Sequence, residues 1–319
     1  MSIRNKLIKL ALEGASYAEL RKVYDSGLLA REGEGTIPML PQNVGAITIL
    51  DENYPGSLLR LHKPPIVLFY KGNIELLRRC RKKVAIVGTR RASSYGVSVA
   101  EKISTLLASR GVCVVSGLAR GIDVASHRNI VEKGVAIAVL GNGVNVYYPY
   151  SNREVQKKIA EKGLLLSEYP PDARGSKWSF VARNRIIAAL SDLVIVVESP
   201  LRGGSIHTAE FALELGIPVA AVPGDIFRVS SQGTNRLIAD GALVITSPGD
   251  VFSILGISEE EKEINSYVVD VLKKEGGRIS ISSLKGYYES TGAMMKELSR
   301  LEMKNIIRIE GSVVILLEQ

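Results

Sequence analysis

Residues 84–96 read Val84-Ala85-Ile86-Val87-Gly88-Thr89-Arg90-Arg91-Ala92-Ser93-Ser94-Tyr95-Gly96. Four apolar residues without polar alternation suit a strand buried on both faces, and the glycine that follows suits a tight turn at its carboxyl end. The same rhythm recurs at residues 112–115, 136–140, 164–166, 193–197 and 219–222, with amphipathic stretches between the runs. Near-continuous apolar strands separated by helices predict an α/β, doubly wound parallel sheet with right-handed crossovers, Rossmann-like, over residues 82–256.

Outward from this core, residues 1–45 read as a small helical domain, in which Ser16 and Glu19 form a capping box and Gly27 a stop. Residues 46–81, which include Pro55, Pro64 and Pro65, read as an extended connection and lead-in. Ser151 and Glu154 predict a second capping box at the start of a crossover helix. On the other side, residues 257–263 form an acidic linker. Residues 264–319 then run helix, short element, helix and a strand pair around a Glu-Gly turn, the order of a winged helix.

Composition narrows the class. The 319 residues are 46% hydrophobic and 23% charged, which excludes a disordered chain, and 30 glycines with 12 prolines exclude a collagen-like one. Two cysteines, Cys80 and Cys113, far apart in sequence, give no disulfide framework or zinc pattern and suggest a reducing cytoplasm. The opening MSIRNKLIKLALEG has too short an apolar run for a secretory signal, and no run is long enough for a membrane span. The net charge is +8, and residues 61–91 alone carry nine Lys or Arg against the single acid Glu75. Such a run reads either as a polyanion attractor or as a solvated edge.

In an open parallel sheet, ligands bind beyond the carboxyl ends of the strands. Five glycine-bearing turns fall there: Gly88-Thr89-Arg90, Ser116-Gly117-Leu118-Ala119-Arg120-Gly121, Gly141-Asn142-Gly143, Arg202-Gly203-Gly204-Ser205 and Pro223-Gly224-Asp225. Turn amides without a Cβ in the way, with hydroxyls from Ser93, Ser116, Ser205 and Thr208 and countercharge from Arg90, Arg120, Arg183, Arg185 and Arg202, make a phosphate site. No GxGxxG and no Walker A sequence occurs, so a nicotinamide or ATP site is not expected. Residues 175–185, GSKWSFVARNR, interleave cations with Trp178 and Phe180; the rings read either as faces for unpaired bases or as core anchors. The three histidines His62, His127 and His207 have no HExxH spacing, and neither they nor the cysteines predict a metal site. Ser116, Asp123 and His127 do not form a GxSxG-type nucleophile elbow; Asp123 and His127 fit a helix start better.

These blocks together resemble the DprA/Smf family of DNA-processing proteins. VAIVGTRRASSYG, VVSGLARGIDVASH, VLGNGVNVYYPYSN, LLSEYP, RNRIIAALS, GGSIHTAEFAL, VPGDI and SQGTNRLIADGA stand in the family's order over residues 54–250. The resemblance implies a non-enzymatic, cofactor-free protein that binds single-stranded DNA, protects incoming DNA in natural transformation and loads a RecA-type recombinase, as a homodimer. It implies strand contacts at Gly88, Arg90, Ser116, Gly117, Arg120, Gly121, Lys177, Phe180, Asn184, Gly204 and Ser205, to which the countercharge reading adds Arg183 and Arg185. The family's Phe-Pro-x-Arg-Asn-Arg is Phe180-Val181-Ala182-Arg183-Asn184-Arg185 here.

Two rival readings remain. Arg202-Gly203-Gly204-Ser205 with Glu210 partly matches the PGGxGTxxE hallmark of nucleoside monophosphate phosphoribohydrolases, without its Gly-Thr. The winged helix, with Lys296 and Arg300 one turn apart, would alternatively read duplex DNA and make the chain a regulator; its eight basic and seven acidic residues make that contact weak.

Overall fold

The structure, a computed structural model, describes residues 2–27, 39–257, 267–288, 290–303 and 306–317. Residues 1–256 form one compact unit and residues 257–319 a second. All of the predicted acidic linker except Ile257 lies outside the described residues.

In chain order the first unit begins with α1 (Ile3–Leu12), α2 (Tyr17–Gly27), β1 (Gly45–Thr48), β2 (Val67–Gly72) and α3 (Leu76–Arg79). The alternating region follows as β3 (Lys83–Val87), α4 (Ser94–Ala108), β4 (Cys113–Ser116), α5 (Ile122–Arg128), β5 (Ala136–Leu140), α6 (Arg153–Lys162) and β6 (Leu164–Ser167). It continues through α7 (Lys177–Ala182), α8 (Asn184–Ala189), β7 (Leu193–Val196), α9 (Gly204–Glu214), β8 (Val219–Ala221), α10 (Gln232–Ala239), β9 (Leu243–Val244) and α11 (Asp250–Leu255).

The six apolar runs are strands β3 to β8, and their side chains are buried. One sheet has the order β1-β2-β6-β5-β4-β3-β7-β8-β9. The pairs among β3 to β9 are parallel, whereas β2 meets β6 and β1 antiparallel. The chain winds outward from β3 through β4, β5 and β6, then returns to lay β7 on the other side of β3. This is the doubly wound, Rossmann-like arrangement, and its reversal point between β3 and β7 opens a crevice at the strands' carboxyl ends.

Three expectations need correction. Residues 46–81 are not merely an extended connection, because β1 and β2 extend the sheet by two strands. Pro64 and Pro65 stand before β2 rather than within it, and Pro55 precedes a 3-10 turn, so no ladder N–H is missing. Ser151 and Glu154 do not make a capping box: Pro149 leads into a 3-10 turn over Tyr150–Asn152, and α6 begins only at Arg153. By contrast, Glu19 N–H donates to Ser16 Oγ at 3.3 Å and Ser16 N–H donates to Glu19 Oε2 at 2.7 Å, which closes the box predicted for α2. Finally, Cys80 and Cys113, far apart in sequence, come together with Cα atoms 5.9 Å apart. The register of β3 on β4 sets Lys83 opposite Cys113, and Cys80 lies just upstream at the end of α3, so sheet pairing closes a gap that the sequence spacing hid.

The second unit contains α12 (Tyr267–Lys274), β10 (Arg278–Ser280), α13 (Ile281–Leu284), α14 (Thr291–Met303), β11 (Ile307–Glu310) and β12 (Val313–Leu316). The predicted helices and terminal hairpin are present, and β10 joins them as a third strand in the order β10-β12-β11. Val268, Leu272, Leu284, Met294, Leu298 and Ile307 form a core separate from that of the sheet. The predicted Lys296–Arg300 pairing includes a side chain outside the described ones.

Candidate nucleic-acid interface

Beyond β3, the turn from Gly88 to Ser93 is anchored from β7. Ser93 N–H and Oγ–H donate to Glu198 Oε2 at 2.9 and 3.0 Å, and Thr89 N–H donates to Glu198 O at 2.7 Å. With its base fixed, the turn projects Arg90 and Arg91 into solvent. Gly121 closes the neighbouring turn with φ +78°, and an added Cβ would strike Thr89 O, so the two turns approach each other as only glycine permits.

α7 supplies the facing wall. Ser176 and Ser179 cap it reciprocally, at 2.7 and 3.1 Å, and Ser179 Oγ–H donates to Gly141 O at 2.6 Å, which fastens the helix to the turn after β5. This places Phe180 directly on Gly141, where an added Cβ would come within 2.5 Å of the ring. Tyr148 stacks on Phe180 with centroids 4.9 Å apart and planes at 22°, and the Arg90 guanidinium lies 5.6 Å from the Phe180 centroid. Lys177 stands exposed at the first position of α7, and Trp178 is 85% exposed, which removes the core-anchor reading for that ring.

The floor is ionic. Arg183 is buried and donates from Nη1 to Gly117 O at 2.8 Å and to Val139 O, and from Nε to Asn184 Oδ1 at 3.1 Å. Burial pulls its guanidinium down to about 10, against the pull of Asp123, while burial holds the Asp123 carboxyl above the ordinary carboxylate range. Asn184 Nδ2–H donates to Gly204 O at 3.0 Å and ties this floor to the amino end of α9. That helix end and the hydroxyls of Ser205 and Thr208 line the far side. The cleft they frame is open to solvent and holds about 710 Å³, with cations and an aromatic pair on one side and helix-end amides on the other.

A comparison with known proteins decides the family. The family model described as DNA recombination-mediator protein A matches residues 45–256. The chain belongs to this DprA/Smf family. It is 44% identical over 213 residues to DNA processing protein DprA of Streptococcus pneumoniae, covering 66% of this chain and 74% of that protein. To DNA processing protein DprA of Bacillus subtilis it is 41% identical over 236 residues, covering 71% and 79%. Among solved structures, that of DNA processing protein A from Helicobacter pylori, described for its unique single-stranded DNA binding mode, superposes with a TM-score of 0.62 at 34% identity, covering 66% of this chain and 95% of that one.

The positions that the sequence singled out as strand contacts divide into three groups. Gly88, Arg90, Lys177, Phe180, Arg183, Asn184, Gly204 and Ser205 line the cavity, and Gly117 and Arg120 line an adjoining hollow of about 490 Å³ that shares Arg90, Tyr148 and Phe180 with it. Gly121 shapes the turn between them. Two residues are engaged elsewhere: Ser116 is buried and its hydroxyl donates to Ile86 O at 2.6 Å, and Arg185 outside the lining donates from Nη2 to both oxygens of Glu168 at 2.7 and 2.6 Å. A strand-end hydroxyl is drawn into the sheet's own bonding, and an arginine one step along a helix from Asn184 points to a different face.

The five turns do share one edge of the sheet, but only three offer their backbone to the cavity. Gly143 N–H donates to Ala173 O at 2.8 Å, and Asn235 bonds both the N–H and the carbonyl of Gly224 at 3.0 Å. The basic run is also divided. Arg78, Arg79, Arg81 and Lys82 stand at the amino end of β3, whereas Arg90 and Arg91 stand at its carboxyl end. The rival catalytic readings lose their groups: His127 is buried, with burial pushing it down to about 4, and Glu210 is exposed and paired with His207 at 2.9 Å outside the cavity. Sequence reasoning missed Tyr148, because its contact with Phe180 depends on α7 folding back over the β5 turn.

Proposed function

We propose that the cavity between β3, α7 and α9 holds an unpaired DNA strand and that the chain protects such strands without catalysing a reaction on them. Phosphates sit against Arg90, Lys177 and the amides at the Gly88 turn and the α9 amino end, while a base stacks on the Phe180–Tyr148 pair. The observation that carries the reading is the Arg90 guanidinium over Phe180, because it joins a phosphate partner to a base platform at one point. The Helicobacter pylori relative's single-stranded DNA binding supports the same substrate. By extension from the family resemblance, the chain acts as a homodimer in the cytoplasm, delivers the strand to a RecA-type recombinase during transformation, and carries its second unit as a winged helix with at most weak duplex contact.

The test is binding of the intact chain to oligo-dT and to duplex of equal length across a salt series. Oligo-dT is expected to bind more tightly and to weaken steeply with salt. Arg90→Ala and Lys177→Ala are each expected to cost roughly tenfold or more, the worth of a hydrogen bond to a charged group, and to flatten the salt slope by about 0.7 for each lost phosphate contact. Wild-type affinity in both variants would move the site elsewhere.

A further inference from the structure

The segment after Gly143 keeps three large rings at the surface: Tyr147 is 37% exposed, Tyr148 49% and Tyr150 70%. Packing does not account for them, since an exposed ring forfeits the burial that normally rewards an aromatic side chain. Two of them, Tyr147 and Tyr150, are nevertheless held by one cation. The Arg153 guanidinium lies 5.5 Å from the Tyr147 centroid and 5.6 Å from that of Tyr150, and its Nη1–H donates to Tyr150 Oη at 3.0 Å. Both distances fall inside the reach of a cation–π contact, about 6 Å. Tyr148 belongs to this segment and is also half of the pair with Phe180. The 490 Å³ hollow has Phe180, Tyr148, Tyr147 and Tyr150 in one lining, with Arg120 beside them. One hollow is thus lined both by the Phe180–Tyr148 pair and by the two rings beside the start of α6.

We propose that Tyr147, Tyr150 and Arg153 form a second nucleotide subsite, which stacks bases beyond the one on Phe180 and neutralises their phosphate with Arg153. The proposal rests on the single-strand reading of the cavity. The cation that orients the rings also supplies the countercharge, so this patch repeats the pairing seen at Arg90 and Phe180. The class of ligand is an unpaired polynucleotide long enough to leave the cavity, with no base preference, because every base offers a stacking face.

The experiment compares the intact wild-type chain with the Tyr147→Ala, Tyr150→Ala double variant. Ligands are oligo-dT of about 5 nucleotides, oligo-dT of about 20 nucleotides, and the longer strand with abasic sugars outside its central bases. The double variant is expected to lose roughly tenfold or more on the longer strand, the worth of at least one stacked base, and to match wild type on the other two ligands. The Tyr147→Phe, Tyr150→Phe double variant, which keeps the rings, is expected to retain wild-type affinity. Unchanged binding of the longer strand by the alanine variant, or an equal loss on the abasic strand, would overturn the subsite. Should the alanine variant fail to fold, photocrosslinking of 5-iodouracil oligonucleotides to the wild-type chain decides the matter: adducts at Tyr147 or Tyr150 support the subsite, and adducts confined to residues 177–180 overturn it. Failure of the underlying reading looks different, since Arg90→Ala and Lys177→Ala would then leave even the short oligonucleotide bound as by wild type.

Discussion

At the scale of single residues, burial decides which groups face a ligand and which hold the fold. His127 is fully buried against Val114 O, at 3.4 Å, and is pushed down to about 4 from an ordinary 6.5. The folded state therefore keeps it neutral while the unfolded chain takes up a proton, so stability is complete above the unfolded value and declines as pH falls from about 6.5 toward 4. A shift of this size corresponds to about 3 kcal/mol. Denaturant unfolding between pH 7 and 4.5 is expected to show that decline, and His127→Gln to flatten it; equal slopes in both proteins would assign the acid sensitivity to other groups. Such a role was not legible in sequence, where His127 looked only like a helix-end residue. Ser116 and Arg185 mislead for the same reason, because residue type names a donor but not the acceptor already satisfied by Ile86 or Glu168.

At the scale of elements, the apolar runs were legible because a doubly covered strand has no polar face to disguise it. Boundaries and partners were less so. β1 and β2 hid among prolines that flank them, and the start of α6 moved past Ser151 because Pro149 leads into a 3-10 turn. The placement of α7 was illegible, since it depends on Ser179 reaching Gly141 across the β5 turn. That contact yields a test of the site's assembly. A methyl at Gly141 would lie 2.5 Å from Phe180 Cδ1 and 2.9 Å from its Cα, too close for the ring alone to yield. Gly141→Ala is expected to destabilise the first unit by about 1–3 kcal/mol through overpacking and to weaken oligo-dT binding together with it. Phe180→Ala, which removes the ring, is expected to weaken binding with a smaller effect on stability. If Gly141→Ala unfolds and binds as wild type does, α7 is not held by this contact.

At the scale of the whole chain, the net charge of +8 was legible but its geography was not. The basic run of residues 61–91 suggested one patch, yet β3 passes through the middle of it. Five strand residues span about 16 Å, which sets Arg78, Arg79, Arg81 and Lys82 at the opposite edge of the sheet from Arg90. At physiological ionic strength the Debye length is about 8 Å, so charges at the far edge act on a strand in the cavity only through a strongly screened field. Replacing Arg78, Arg79, Arg81 and Lys82 together by Gln is therefore expected to change oligo-dT affinity by less than about threefold at 0.15 M salt, well under the cost of losing Arg90 alone. At about 0.01 M salt, where the Debye length reaches roughly 30 Å, the same variant is expected to associate more slowly, because the far charges then contribute to steering. Stopped-flow association and equilibrium titration at both salt concentrations separate these effects. A large affinity loss at 0.15 M would mean that the strand wraps past β3 to the amino edge of the sheet, and the path of the DNA would have to be redrawn around both ends of that strand.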